Sequence, residues 1–130
     1  MSLRLIATLA MAAALSTACK LSTPQDNTVD QVSGTIPVGG ADFKTFDATK
    51  NGEIQITVTT LTPTPSASLG MYLGVPVSGA CALYGSYYAS VVANRTVEFG
   101  YVNKANYCVQ FYDTGALTVP TEYTAKISHP

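Results

Sequence analysis

From residue 32 to residue 128 the chain repeatedly places apolar side chains two positions apart, a period that suits strands and not helices. Ile54, Ile56 and Val58 alternate with Glu53, Gln55, Thr57 and Thr59. Leu69, Met71, Leu73 and Val75 alternate with Gly70, Tyr72 and Gly74. Val97, Phe99 and Tyr101 stand against Thr96, Glu98 and Gly100. Tyr107, Val109 and Phe111 stand against Cys108, Gln110 and Tyr112, and Tyr123, Ala125 and Ile127 against Glu122, Thr124, Lys126 and Ser128. Successive strand residues point to opposite faces, so each segment is expected to have one buried and one wet side. A wet face argues for antiparallel pairing, because parallel sheets are usually covered on both sides. Residues 31–36, 42–47 and 90–93 supply weaker strands.

Turn residues separate these runs: Gly39-Gly40, Asn51-Gly52, Pro63-Thr64-Pro65, Asn103-Lys104 and Asp113-Thr114-Gly115. Asn51-Gly52 reads as the strongest hairpin signal. About eight short strands with regular turns predict an all-β domain, an antiparallel two-sheet β-sandwich of jelly-roll type, over residues 32–130. If Tyr107, Val109 and Phe111 face the core, Cys108 faces away from it. Residues 77–90 show weak periodicity and read as a loose segment lying across the outside of a sheet.

Ahead of the strands lies an address. Residues 1–4 carry one positive charge, residues 5–15 are unbroken apolar, and Ser16-Thr17-Ala18 is small and is followed by Cys19. This is the order of a secretory signal peptide, expected to be helical and to cover residues 1–18. The apolar run is shorter than the roughly 20 residues a membrane-spanning helix needs. A cysteine directly after the cut site resembles a bacterial lipoprotein signal. The resemblance implies lipid on Cys19 and a membrane-anchored envelope protein, and Lys20 after it implies outer-membrane sorting. The same small residues also serve plain export, cut after Ala18, to a periplasmic or secreted fate. Residues 19–31 are polar, contain Pro24 and read as a tether reaching on the order of 15–20 Å.

Three cysteines cannot all pair with one another. With Cys19 taken by lipid, Cys81 and Cys108 remain, 27 positions apart. In an oxidising compartment they are expected to form a disulfide; the alternative is two buried thiols.

The formal charge is −1 and no Lys/Arg cluster occurs, so nucleic acid has no electrostatic footprint to bind. Charged residues are 12%, about half the usual share of roughly 25%, and Thr, Ser, Gly and Tyr take the polar positions, which suits a sheet surface. No G-x-S-x-G, P-loop, dinucleotide or H-E-x-x-H motif is present. The one histidine, His129, falls at a strand end expected to be exposed, where it lacks the walled site and fixed partner of a catalytic base. Asp42, Asp47 and Asp113 could meet at one end of a sandwich and hold calcium, but they lack the close spacing of hard-cation ligands and read as turn formers. No catalytic residue, metal or cofactor is expected. Tyr84, Tyr87 and Tyr88 cluster near Cys81, and Tyr112 lies on a predicted outer face. These four are the candidate ligand-binding residues, since Tyr offers flat apolar area with a hydroxyl to a sugar ring or a protein. Alternatively the rings pack their own segment onto its sheet.

The layout over residues 32–130 resembles the bacterial pre-peptidase C-terminal (PPC) domain family. The counterparts are Ser33-Gly34-Thr35, Phe46, Gly52 with Ile54-Ile56-Val58, Leu69-Met71-Leu73, Tyr107-Val109-Phe111-Tyr112, and Tyr123-Thr124 with Ile127. The resemblance is closest to secreted members of unassigned function. It implies a non-catalytic accessory module acting on a partner or polymer outside the cytoplasm. A carbohydrate-binding module is the first alternative, and a small secreted hydrolase the second.

Overall fold

The computed structural model describes residues 26–130. The signal segment and Cys19 lie outside them. Eight strands run in order: β1 (Thr28–Ile36), β2 (Ala41–Ala48), β3 (Gly52–Thr62), β4 (Leu69–Val77), β5 (Ala80–Val91), β6 (Thr96–Val102), β7 (Ala105–Tyr112) and β8 (Thr121–His129). They form two antiparallel four-stranded sheets, β1-β8-β3-β6 and β2-β7-β4-β5. This is jelly-roll order: every connection except β4–β5 passes from one sheet to the other.

The period-two residues build the layer between the sheets. Ile54, Ile56, Val58, Leu69, Met71, Leu73, Tyr107, Val109, Phe111, Tyr123, Ala125 and Ile127 are all buried. Phe111 and Tyr123 meet across the layer with ring centroids 4.4 Å apart. Domain and tether divide earlier than expected, because residues 28–31 pair with β8 as strand. Asn27 fastens the entry by donating to the Glu53 carbonyl at 2.8 Å and to Ser128 Oγ at 3.2 Å.

β6 departs from simple alternation. Gly100 has φ +77°, and the pairing with β3 shifts register between Ile54 and Gln55. This bulge changes which side chains face inward. Val97 and Val102 are buried, Phe99 is half-buried and Tyr101 turns out to solvent at 56% exposure.

Asn51-Gly52 is not a hairpin, since β2 and β3 belong to different sheets. Asn51 instead accepts the Lys104 N–H on its Oδ1 at 2.7 Å and ties the β2–β3 corner to the β6–β7 corner. The tight hairpin is Val77-Ser78-Gly79-Ala80, with φ of 49° at Ser78 and 78° at Gly79. Positive φ at both central residues is what a two-residue hairpin loop requires.

His129 is buried, not exposed. Its Nε2 lies 3.0 Å from Asp30 Oδ2 and its ring sits 5.1 Å from that of Phe46, so it closes the end of the core where β1 enters.

Tyr123 carries a polar link from the core to β2. Its hydroxyl donates to Asp42 Oδ2 at 2.8 Å, and Lys44 Nζ lies 3.3 Å from the same oxygen. Gly34 is needed here because a Cβ would collide with Asp42 Oδ2 and crowd the Tyr123 ring. Burial, and then the Asp42 carboxylate, push the Tyr123 hydroxyl far above the ordinary tyrosine range. A raised folded-state pKa stabilises the domain below the unfolded tyrosine pKa of about 10, and that contribution fades as pH rises above it. Tyr123→Phe is therefore expected to unfold less steeply than wild type between about pH 10 and 12. At neutral pH it should cost about 1.5–3 kcal/mol, because Asp42 loses its donor. Urea titrations at neutral and alkaline pH check both statements.

Candidate functional site

A shallow trough of about 510 Å³ lies on the outer face of the β2-β7-β4-β5 sheet. Its walls are Tyr72 of β4, Leu83 and Tyr87 of β5, Gln110 and Tyr112 of β7, and the Gly39-Gly40 turn with Ala41 and Asp113. The strand period explains the β4 and β7 members. Met71 and Leu73, Val109 and Phe111 point inward, so Tyr72, Gln110 and Tyr112 point outward. Tyr112 lies flat across Gly70, where any Cβ would strike the ring at 2.1–2.6 Å. That glycine lets the ring fold down against the sheet, 5.9 Å from the ring of Tyr72.

Two bulges set the β5 wall. Leu83 opposes Gly74 and Tyr87 opposes Tyr72, so five β5 residues, 83 to 87, span the three β4 residues 72 to 74. In a regular antiparallel pair residue 85, a glycine, would stand opposite Tyr72. The bulge substitutes Tyr87. A second shift follows between Leu69 and Met71. β5 is also the one edge strand with no charged residue, and such an edge invites pairing with other chains. Bulges interrupt a continuous edge, so the same irregularity that aims Tyr87 protects the strand.

Two polar groups of the trough, the Tyr72 hydroxyl and the Asp113 carboxylate, already have partners. The Tyr72 hydroxyl donates to the Cys81 carbonyl at 2.9 Å and also bonds the Gln110 side chain. Burial, and then the neighbouring Tyr112, raise the Tyr72 pKa while Gln110 opposes them, so this hydroxyl stays neutral. Asp113 binds the rim together: Oδ2 accepts the Gly39 N–H at 2.7 Å, and Oδ1 accepts those of Gly115 at 2.8 Å and Leu117 at 3.1 Å. The Gly39 N–H, then that of Leu117, hold its carboxyl below the usual carboxylate range. A depressed folded-state pKa stabilises above the unfolded carboxyl pKa of about 4, and the contribution is lost as pH falls below it. Asp113→Asn should lower the melting temperature at neutral pH, and its gap from wild type should close as pH drops below about 4. Thermal melts across pH give the test.

Tyr87 and Tyr112 of the four sequence-predicted tyrosines come together in the trough. Tyr84 and Tyr88 do not join them. Tyr84 turns toward Tyr107, with centroids 5.9 Å apart. Tyr88 packs edge-on against Phe99 at 5.3 Å and donates to the Glu98 carbonyl at 2.6 Å, closing the β5–β6 side of the sandwich. Leu83 and Gln110 complete the site without having been singled out; each sits two positions from an outward residue, Cys81 and Tyr112. Cys81 and Cys108 are disulfide-bonded, with Cα atoms 5.9 Å apart. Such a bond fits an oxidising, extracytoplasmic compartment. Asp42, Asp47 and Asp113 serve different partners: Tyr123 with Lys44, Asn106, and backbone N–H groups. Among the described residues no three His, Cys, Asp or Glu side chains cluster as a metal site would need.

The outer face of the other sheet carries a polar cleft of about 430 Å³, lined by Ser33, Thr35, Thr60, Thr62, Glu122 and Thr124. Its hydroxyls pair partly with each other, as Thr60 Oγ1 does with Thr124 Oγ1 at 2.6 Å. Tyr123, which also lines the cleft, is buried and offers it no exposed ring.

Comparison with protein-family models and with curated proteins finds no match to this chain.

Proposed function

We propose that this chain is a non-catalytic cell-envelope lipoprotein with a PPC-like β-sandwich, anchored through Cys19 and binding or scaffolding an extracytoplasmic partner. The observation that carries the reading is the trough. It offers exposed apolar surface at Leu83 (54% exposed) and Tyr87 (62% exposed), beside the half-buried rings of Tyr72 and Tyr112. Its one carboxylate, on Asp113, is spent on backbone N–H groups. Exposed apolar area that a monomer has no use for marks a binding surface. A hydrolytic role has no support in the trough, since no general acid, base or nucleophile is placed there. Anchoring is tested by detergent-phase partitioning of the protein expressed in a bacterial host. Wild type should enter the detergent phase and Cys19→Ser should stay in the aqueous phase; wild type in the aqueous phase would end the lipoprotein reading.

A carbohydrate-binding module is the second reading, favoured by the absence of a free charge and by tyrosine faces that a neutral sugar ring can cover. A glycan array of wild type against Tyr87→Ala/Tyr112→Ala decides it. Binding lost in the double variant supports it, and no glycan bound by wild type removes it.

A further inference from the structure

We propose that the Cys81–Cys108 bridge assembles the trough, so that the binding face forms only where these two thiols are oxidised. The proposal concerns the same face as the proposed function, but its test uses no ligand, so the two can fail separately.

The bridge lies on the trough's side of the sheet. Cys108 points away from the core, as its neighbours Tyr107 and Val109 point in. Its sulfur meets that of Cys81 above Gly74, where a Cβ would stand 2.6 Å from Cys81 Sγ and 2.5 Å from the Ala82 carbonyl oxygen. β5 is thereby tied over β4 to β7, the strand that carries Gln110 and Tyr112.

What the bridge holds has few other anchors: the Tyr84 ring against Tyr107, and the pairing of residues 80–83 with β4. Across residues 80–87, Cys81 is the only buried side chain. Core contacts resume at Tyr88 and Val91. Among the described residues no strand pairs with the segment on its outer side, and the bulge between Leu83 and Tyr87 thins its ladder to β4. Segments with few buried apolar contacts and a bare edge open at low free energy. Leu83 and Tyr87 lie on this segment, and the Cys81 carbonyl receives the Tyr72 hydroxyl. Release of Cys81 therefore frees one wall of the trough and the acceptor that fixes its floor. The sandwich core lies on the other side of the sheet and does not include the bridge.

The chemistry is thiol–disulfide exchange with an oxidised dithiol donor. One cysteine loses its proton and its thiolate attacks the donor disulfide, giving a mixed disulfide and one donor thiol. The second cysteine, deprotonated in turn, attacks the protein-side sulfur. The Cys81–Cys108 bond forms, and the donor leaves as a dithiol carrying two electrons and two protons. In the folded domain Cys81 is 5% exposed and Cys108 0%, so the closed bridge is shielded from reductants.

Hydrogen exchange measured by mass spectrometry tests the assignment on the purified residue 19–130 chain. In Cys81→Ala/Cys108→Ala, amide exchange in residues 82–87 should rise on the order of tenfold or more and run faster than the variant's urea-measured global unfolding allows, while β3 and β8 exchange no faster than that global unfolding. Unchanged exchange in residues 82–87 would overturn the proposal. Should the double variant fail to fold, wild type reduced with a phosphine while unfolded, and refolded with the phosphine kept present, provides the same comparison. Exchange in residues 82–87 no faster than global unfolding accounts for would equally overturn it, by making the bridge a global brace and not a local one.

Discussion

Phe111→Ala is expected to remove about 3–5 kcal/mol of unfolding free energy. The ring is fully buried on β7, an interior strand flanked by β2 and β4, and it packs on Tyr123 of the opposite sheet. Truncation removes the transfer energy of the ring and leaves a cavity that rigid sheets on both sides cannot close. Total stabilities of domains this size run about 5–15 kcal/mol, so the variant should sit near the edge of folding at 37 °C. Leu83→Ala serves as the control. Leu83 is exposed in the trough and should cost about 0.5 kcal/mol or less. Urea midpoints at constant slope measure both. A Phe111→Ala loss under about 1 kcal/mol would mean that this face of β7 is not the core.

The second large effect belongs to the disulfide. Its 27-position loop predicts a loss of about 3–4 kcal/mol when both cysteines become alanine, through the greater freedom of the unfolded chain. This cost acts on the denatured ensemble and comes in addition to any local opening of β5. The two are separable. Denaturant midpoints read the first, and site-resolved exchange reads the second. A double variant with an unchanged midpoint would show that the bridge adds no global stability.

Most of the fold was legible because side-chain period and strand geometry are the same physical fact. Where alternation was clean, as in β3, β7 and β8, the inward residues are the ones expected, and Cys108 points outward as the parity of β7 demands. Where a bulge entered, parity was lost. Gly100 turned Tyr101 outward, and residues 77–90, expected as a loose segment, fold as the long strand β5 with its irregular register. A bulge leaves little trace in sequence because one or two extra residues look like noise in a short pattern. Asn51-Gly52 misled for a different reason. A turn-prone dipeptide reports local backbone preference, while membership of one sheet or two is decided by long-range packing.

The site was half legible for the same causes. Outward parity placed Tyr112 on the outer face, where it lines the trough, and Tyr87 was reached by its nearness to Cys81. That same nearness also drew in Tyr84 and Tyr88, which the β5 bulges direct elsewhere. His129 shows the limit of end-of-chain reasoning: its position near the last residue suggested exposure, yet pairing of β8 with β1 places it beside Asp30 and Phe46.

The most direct test of the account is the intact mass of the protein recovered from the membrane fraction of an expressing bacterial cell. The account predicts a chain beginning at Cys19, heavier by its acyl groups and lighter by the two hydrogens lost at Cys81 and Cys108. A full-length chain starting at Met1, with all three thiols free, would contradict it.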